Sequence, residues 1–427
     1  MRPAPRRAWL GPLVLAASCT LAPSLMPWPA AAAESLASAQ LASPPVAMPL
    51  PAYLQPAKDP AFGVPFTRVT KPGPLGAGII CGPGHCSHRY SSAQAWNADQ
   101  SLLVIVNGCN GLCFLDGHSY VPLFRRTRAG ECEWHPRNAE VMICVSGQTV
   151  SYWAPRANLE RPVYTAEGHR NLQFGPYKGN PSLDGHRIVI RALSASGALV
   201  AFAYDLAARR KFPDIVLGTL PGKNNACSIS PLGDYVYCLQ SLPDETNQTF
   251  IFTVAGKLVQ SWTENHRPGH GDMTVDTDGH EVYVGISKSE PDLFQVIKRR
   301  LDDGTVTALS PYSEAQHASL RALQRPGWVF LSYSGDFDEV GRHPAWAPFA
   351  REILALKIDG SGEIRRIAQT RNAPHDYWSE THASPSPDGS QIIWSSNWGQ
   401  PGGPVFDFVS RLDWPDKAAS GQSAKGP

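Results

Sequence analysis

Three histidines, His270, His317 and His382, each stand shortly before a glycine-containing turn in the C-terminal third of the chain. If the turns belong to successive structural repeats, the three side chains converge from neighbouring repeats. Three neutral imidazoles are a good ligand set for a borderline divalent metal, and Glu380 adds a carboxylate close to His382. The sequence therefore predicts a metal site formed by His270, His317, His382 and Glu380. The alternative is that each histidine only hydrogen-bonds a neighbouring loop.

The elements that must position these histidines are short strands between frequent turns. The chain has 39 prolines and 37 glycines among 427 residues, so long helices are not expected. A turn followed by a strand rich in β-branched and aromatic residues recurs seven times, at intervals of roughly 40 to 60 residues, as in four-stranded propeller blades. The sequence predicts an all-β fold, a seven-bladed β-propeller over residues 59–415. The seven turns lie near Asn97, Pro136, Asp184, Leu232, Thr277, Pro326 and Pro387.

The two ends of the predicted ring must join, because a blade with an unpaired edge strand is exposed to aggregation. We expect a last strand near residues 405–412 to pair with a strand near residues 62–69 or with the first repeat. Residues 34–58 are rich in Ala, Ser and Pro and are interpreted as a linker. Residues 416–427 are interpreted as a disordered tail.

The last repeat carries a family resemblance. Its sequence Ser386-Pro387-Asp388-Gly389, with the strand that follows, resembles the repeat of TolB-type periplasmic propellers, and a weaker copy begins at Ser230. The resemblance covers residues from about 90 to 412 and implies the propeller fold. It indicates little about function, because that fold is found in enzymes and in passive binding proteins alike.

Histidines near the entrances of the late blades also resemble those of oligogalacturonate lyase. That resemblance implies a divalent metal, typically manganese, which neutralises a substrate carboxylate while an oligosaccharide containing uronate is cleaved by β-elimination. By position, His270 matches an early metal histidine of that family and His382 a late one. The sequence departs from the family where a glutamine and two histidines are expected in one strand, because only His382 stands there.

Such an elimination needs a base near the proton that is removed and a cation near the carboxylate. The candidates for these catalytic roles are Arg321, Tyr377 and Lys178. Arg321 could equally form a structural salt bridge. The candidates for substrate binding are Trp378, His375 and Asp272, and the aromatic rings of Tyr377 and Trp378 could either stack on a sugar or pack within the protein.

The first 33 residues have the features of a secretory signal peptide. Arg2, Arg6 and Arg7 precede an apolar run, and a stretch of small residues ends at Ala33. Cleavage after Ala33 would place the protein in the periplasm or outside the cell. A membrane anchor is the alternative interpretation, a twin-arginine signal is open, and Cys19 lies in an imperfect lipobox that could carry a lipid tether.

Eight cysteines remain after this segment, and an even number in an exported chain favours disulfides. Cys132/Cys144 and Cys227/Cys238 each flank one turn, so each pair could join the two strands of a hairpin. Cys81/Cys86 and Cys109/Cys113 would close small loops. A zinc site formed by four cysteines is the alternative, although the spacings are not those of a zinc ribbon.

The overall charge excludes one class of partner. The formal net charge is +1, and nucleic-acid binding would need clustered positive charge. Cleavage of the leader would remove three arginines and leave a charge of −2, so an anionic ligand must be held by a local metal or arginine. The sequence contains no GxSxG, HExxH or Walker motif, which argues against hydrolases and NTPases of those types.

We therefore expect an exported, monomeric propeller that is not transmembrane and does not bind nucleic acid. Its predicted function is to bind an anionic oligosaccharide containing uronate at a histidine-centred metal, such as Mn²⁺, and to cleave it as a lyase. The alternative is a non-catalytic TolB-like propeller that binds a protein or a glycan in the cell envelope.

Overall fold

The computed structural model describes residues 34–36, 45–73, 80–174, 180–244, 246–264, 270–311, 315–335, 348–373 and 376–415. Over these ranges the chain forms seven sheets, the blades of a β-propeller. Their strands pair antiparallel, except that the short strand His85–Cys86 pairs in parallel with the last strand of blade 7. The predicted all-β, seven-bladed fold is confirmed. The predicted signal peptide and tail, residues 1–33 and 416–427, lie outside the described residues.

Blades 1 to 4 follow one another along the chain, and successive strands within each blade are antiparallel neighbours. In blade 3 the outermost position is shared by two short strands, and the 3-10 helix Leu217–Thr219 follows them. The strands are Leu102–Ile105, Leu112–Asp116 and Pro122–Arg126 in blade 1; Glu131–Trp134, Met142–Ser146, Thr149–Ala154 and Leu159–Thr165 in blade 2; His169–Gln173, Arg187–Ser194, Leu199–Asp205, Arg210–Lys211 and Ile215–Val216 in blade 3; and Lys223–Ile229, Tyr235–Ser241, Asn247–Thr253 and Leu258–Glu264 in blade 4.

Blades 5 to 7 bring the ring back to its start. A second 3-10 helix, Tyr377–Ser379, lies between blades 6 and 7. The strands are Asp272–Val275, Glu281–Ile286, Val296–Arg300 and Val306–Ser310 in blade 5; Ala315–Ser319, Trp328–Tyr333, Glu352–Lys357, Glu363–Gln369 and Glu34–Ser35 in blade 6; and Ser384–Pro385, Gln391–Ser396, Val405–Arg411, His85–Cys86, Pro65–Arg68 and Pro56–Lys58 in blade 7.

Blade 7 joins the two ends of the chain. The N-terminal strand Pro65–Arg68 pairs with the last strand, Val405–Arg411, so the first of the two predicted modes of closure is confirmed. Pro56–Lys58 pairs with Pro65–Arg68, and Glu34–Ser35 pairs with the outer strand of blade 6. The stretch interpreted as a linker thus supplies two edge strands, because an outer strand offers free N–H and C=O groups for pairing.

The hydrophobic core is divided among the interfaces between adjacent blades. Successive residues of a strand point to opposite faces of its sheet. In blade 7, Ile392 and Trp394 therefore pack toward blade 6, while Ile393 and Val409 pack toward blade 1. Each of the seven interfaces contains such a buried cluster. Strands buried on both faces explain the nearly continuous apolar runs in the sequence.

The glycine of the repeated turn has a backbone conformation that other residues rarely adopt. Gly185, Gly233, Gly279 and Gly389 have φ angles between +72° and +86°, and each donates its N–H to the carbonyl three residues earlier. A side chain at such a φ is strained, so the chain uses glycine at these turns.

Four disulfides join the cysteine pairs suggested by their spacing: Cys81–Cys86, Cys109–Cys113, Cys132–Cys144 and Cys227–Cys238. The last two join residues that lie directly opposite each other on neighbouring strands. This pairing excludes the alternative of a four-cysteine zinc site, and four disulfides indicate an oxidising compartment. The described part of the chain has no helix with the length and hydrophobicity needed to span a bilayer.

Glu352 is a buried carboxyl in blade 6 that should destabilise the fold at neutral pH. Its side chain is fully buried, and within the described part of the chain neither carboxyl oxygen has a hydrogen-bond partner. Burial raises the pKa of Glu352 to about 8. The positive charge of Arg366, whose Nη1 lies 3.7 Å from Glu352 Oε1, lowers the pKa by a smaller amount. The unfolded chain ionises near pH 4.5 and the folded chain near pH 8, so stability falls as the pH rises between these values.

Glu352→Gln should remove this loss, because the amide does not ionise. We expect the variant to gain on the order of 3 kcal/mol in free energy of unfolding at pH 7 and little at pH 4. Denaturant titrations at pH 4, 6, 7 and 8 measure the difference, with Glu140→Gln at an exposed site as the control. A constant difference across this pH range would contradict the raised pKa.

Candidate functional site

The three histidines predicted to converge are neighbours around one side of the central channel. The ring centroid of His317 lies 4.4 Å from that of His270 and 4.4 Å from that of His382. A backbone bridge between His270 and His317 joins the innermost strands of blades 5 and 6, and the Ala318 N–H donates to the His270 carbonyl at 2.8 Å. We call His270, His317 and His382 the histidine cluster.

His317 is the most deeply buried member of the cluster. Its side chain is 0% exposed, and neither ring nitrogen has a hydrogen-bond partner among the described residues. Burial first, and then the neighbouring imidazoles of His382 and His270, hold the pKa of His317 well below its ordinary value. The ring is therefore neutral, with a nitrogen lone pair in a buried site. An unsatisfied buried polar atom is costly unless it has a ligand.

The residues present fit a divalent metal. Among the described residues, His317, His382 and Glu380 form a group whose ligand atoms all lie within 4.8 Å of one another. The Glu380 Oε2 atom lies 3.1 Å from His382 Nε2 and 3.4 Å from His317 Nε2. Burial also lowers the pKa of His382, and two neutral imidazoles with one carboxylate suit a borderline divalent ion.

His382 is held in an unusual backbone conformation by two groups that the sequence did not identify. Its φ angle is +48°, in the left-handed region that costs free energy for a non-glycine residue. The His382 carbonyl accepts a hydrogen bond from His88 Nε2 at 2.7 Å, and His88 Nδ1 lies 3.1 Å from the Asp407 carboxylate. Both partners of His88 are acceptors, so both of its ring nitrogens donate and the ring is an imidazolium.

The pKa of His88 agrees with this charge state. Burial lowers the pKa of His88, but the charge and hydrogen bonds of Asp407, with the His382 carbonyl, raise it by more in total. The buried His88–Asp407 pair thus supports the His382 backbone through the hydrogen bond from His88 Nε2 to the His382 carbonyl. The sequence alone did not indicate this role for His88, because its partners in blade 7 are more than 290 residues away along the chain.

Residues 88–94, the channel segment, lie between two isolated backbone bridges to blade 1. Ser87 bridges Asn107 and Trp96 bridges Leu103. The segment itself forms hydrogen bonds with residues of blades 3, 6 and 7. The carbonyls of Ser91, Ser92 and Ala93 accept hydrogen bonds from Ser319, Asn180 and Ser384, respectively, and Gln94 donates to the Arg321 carbonyl.

Tyr90 of the channel segment lies against the histidine cluster. Its hydroxyl is 2.6 Å from His270 Nδ1, and its ring centroid is 5.4 Å from that of His317 and 5.0 Å from that of His382. The sequence carried no signal for this position, because Tyr90 belongs to an irregular excursion and follows no turn motif. His270 thus has a phenol as a hydrogen-bond partner, and it lies beside the group of His317, His382 and Glu380.

Arg321, predicted to be catalytic, and Asp272, predicted to bind substrate, form an ion pair with each other. Arg321 Nε and Nη2 donate to the two carboxylate oxygens of Asp272 at 2.7 and 2.8 Å, and the two residues are 5% and 1% exposed. Such a bidentate buried pair fixes both side chains. The geometry therefore fits the structural salt bridge that the sequence left open and leaves neither group exposed to a substrate.

Tyr377 and Trp378 lie at the entrance beside the cluster, on the 3-10 helix that precedes His382. Both remain partly exposed, and the Tyr377 ring centroid is 5.0 Å from that of His382. Two other predicted site residues, Lys178 and His375, lie outside the described residues.

A separate cavity of about 280 Å³ lies between blades 1 and 2. Its lining includes Arg89, which forms an ion pair with Glu133, and Arg128, which forms one with Glu160. None of the cluster histidines lines this cavity. Because its arginines are already paired with carboxylates, it is a poor site for an anion, and the histidine cluster remains the better candidate.

Comparison with known structures agrees with this architecture. A structure of oligogalacturonate lyase in complex with manganese matches with a TM-score of 0.58 and 15% identity, over 84% of this chain and 96% of the other. The chain shares the seven-bladed propeller fold of oligogalacturonate lyase. The oligogalacturonate lyase of Vibrio parahaemolyticus matches with a TM-score of 0.55 and 11% identity over the same shares of each chain.

At these identities the likeness to oligogalacturonate lyase is one of fold. No protein-family model matches the sequence, and no curated protein matches it. Activity must therefore be argued from the site itself.

Proposed function

We propose that this protein is a metal-dependent lyase that cleaves uronate-containing oligosaccharides by β-elimination at the histidine cluster. One observation carries the proposal: the fully buried His317 imidazole has no hydrogen-bond partner in the described ranges and lies against His382 and Glu380. A protein keeps an unsatisfied buried imidazole at a cost, and a metal ligand role explains that cost. The likeness to a manganese-bound oligogalacturonate lyase supports manganese as the metal and a uronate as the substrate.

His317, His382 and Glu380 would hold the metal. When bound, a divalent ion neutralises the substrate carboxylate and so makes the proton on the adjacent carbon easier to remove. The His88–Asp407 pair contributes by fixing the His382 backbone, so that the His382 imidazole reaches the site in one orientation.

Tyr90 and His270 would handle the proton. Their short hydrogen bond lets the phenol pass its proton to His270 Nδ1, and the phenolate oxygen can then accept the proton alpha to the carboxylate. As that C–H bond breaks, a double bond forms to the next carbon and the bond from that carbon to the glycosidic oxygen breaks. The leaving oxygen takes up one proton, and Tyr377 at the entrance is the candidate donor.

An absorbance assay tests the proposal. The protein is incubated with oligogalacturonates in the presence of Mn²⁺, and the ultraviolet absorbance of the unsaturated uronate is followed. We expect a rise that a chelator abolishes and that added Mn²⁺ restores. Absence of a rise with any uronate in the presence of metal would favour the alternative, a non-catalytic propeller that binds a protein or glycan of the envelope.

A further inference from the structure

An aromatic surface lies at the rim of the channel beside the histidine cluster. Tyr377 is 45% exposed and Trp378 is 40% exposed, and they are the aromatic members of the exposed large hydrophobic residues in the described chain. Their rings contact each other edge to face, with centroids 5.3 Å apart. Large aromatic side chains on a surface commonly mark a binding site, because leaving them in water costs free energy.

His85 covers one face of the Trp378 indole. The two rings are stacked with centroids 4.4 Å apart and an interplanar angle of 6°. His85 is fixed by its strand pairing with Val405 and by the disulfide of its neighbour Cys86. Gly108 packs so closely on the His85 backbone that a Cβ atom there would lie 1.8 Å from the His85 carbonyl oxygen. The covered face of the indole is thus held by a rigid part of blade 7.

The backbone under Trp378 is equally well fixed. The 3-10 helix begins with a capping box in which Asp376 and Ser379 each accept a hydrogen bond from the other's backbone N–H. The Asn372 amide also donates to the Ser379 carbonyl. A flat ring whose orientation is fixed before binding loses little conformational entropy when a ligand stacks on it.

The platform of Trp378, Tyr377 and His85 is continuous with the histidine cluster. Tyr377 contacts Trp378 on one side, and on the other its ring centroid lies 5.0 Å from that of His382. A ligand that occupies both places must therefore extend beyond a single ring. Pyranose rings have a face of C–H groups, and such a face packs on a flat aromatic ring.

We propose that the open face of Trp378 is a saccharide subsite that stacks on a pyranose ring next to the sugar held at the histidine cluster. This inference rests on the proposed function and adds a second binding position for its oligosaccharide substrate, so that monosaccharides should bind more weakly than oligosaccharides. The ring on Trp378 is recognised by its C–H face, and the sugar at the cluster is recognised by its carboxylate.

Binding measurements with turnover slowed test the subsite. The full-length protein carrying Tyr90→Phe, which is expected to slow elimination, is titrated with mono-, di-, tri- and tetragalacturonate in the presence of Mn²⁺, and dissociation constants are measured by calorimetry. We expect Trp378→Ala to weaken binding of the trimer and tetramer by about 10-fold, with little change for the monomer. Trp378→Phe, which keeps a flat ring, should recover part of the loss.

The controls separate the subsite from a folding defect. Leu159→Ala removes another exposed hydrophobic side chain, on blade 2, and should bind like the wild type. His85→Ala should weaken trimer binding without changing the circular dichroism spectrum, because it removes the support of the stack.

The outcomes also separate this inference from the proposed function. Equal trimer affinities with and without Trp378→Ala, or no binding of any of these saccharides by the Mn²⁺-loaded protein that retains Trp378, would overturn the subsite. Trimer binding that depends on Trp378 but gives no absorbance rise with Mn²⁺ would retain the subsite and remove the lyase activity.

Discussion

His317→Ala is expected to abolish metal binding and, with it, the elimination reaction. His317 is the central imidazole of the cluster, and its ring centroid lies 4.4 Å from those of His270 and His382. Its loss removes the buried imidazole whose two nitrogens have no hydrogen-bond partner in the part of the chain that the structure describes. Wild-type protein should bind about one Mn²⁺ per chain, and the variant should bind almost none. Elemental analysis after gel filtration measures the metal directly.

Thermal unfolding gives a second readout that needs no substrate. Saturating metal at one hundred times its Kd should stabilise the wild type by about 3 kcal/mol, and this gain should vanish in the variant. His382→Ala should give the same result, because it removes another member of the ligand group. His186→Ala, in an exposed turn of blade 3, is the matched control. A His317→Ala protein with wild-type metal content would refute the site.

Tyr90→Phe is expected to lower the rate of elimination by about 100-fold or more while leaving the metal content unchanged. The substitution removes only the hydroxyl that lies 2.6 Å from His270 Nδ1. General acid–base catalysis typically contributes a factor of 10² to 10⁴. Because Tyr90 lies outside the group of His317, His382 and Glu380, we expect kcat to fall and KM to change little.

The control for Tyr90 is Tyr152→Phe on blade 2, which removes a hydroxyl far from the cluster. Steady-state rates and metal content are measured for both variants. A Tyr90→Phe enzyme with the wild-type kcat would rule out a role in proton transfer. Loss of metal from the same variant would instead identify Tyr90 as a metal ligand and contradict the ligand group proposed above.

The propeller and its disulfides could be predicted from the sequence because they depend on short-range patterns. Turn glycines such as Gly389 and the strand that follows repeat at blade length, and each disulfide joins cysteines no more than 12 residues apart. The convergence of His270, His317 and His382 also follows from the repeat, because equivalent positions of neighbouring blades face the same channel.

The partners of those histidines could not be predicted in this way. Tyr90 reaches His270 across 180 residues of chain, and His88 reaches Asp407 across 319. Both belong to an excursion of residues 88–94 that no repeat predicts. The same limit applies to Arg321 and Asp272. Only the tertiary structure, which buries both side chains against each other, distinguishes an ion pair from two groups that bind substrate.

By itself the sequence predicted the number of blades, candidate cysteine pairs, the three channel histidines and the neighbouring Glu380, since these follow from local spacing and from a regular repeat. The tertiary structure decided which other groups surround those histidines: Tyr90 and the His88–Asp407 pair. The physical reason is that ring closure brings the N-terminal residues against the last blade. The contacts made there join distant parts of the chain and depend on the packing of all seven blades.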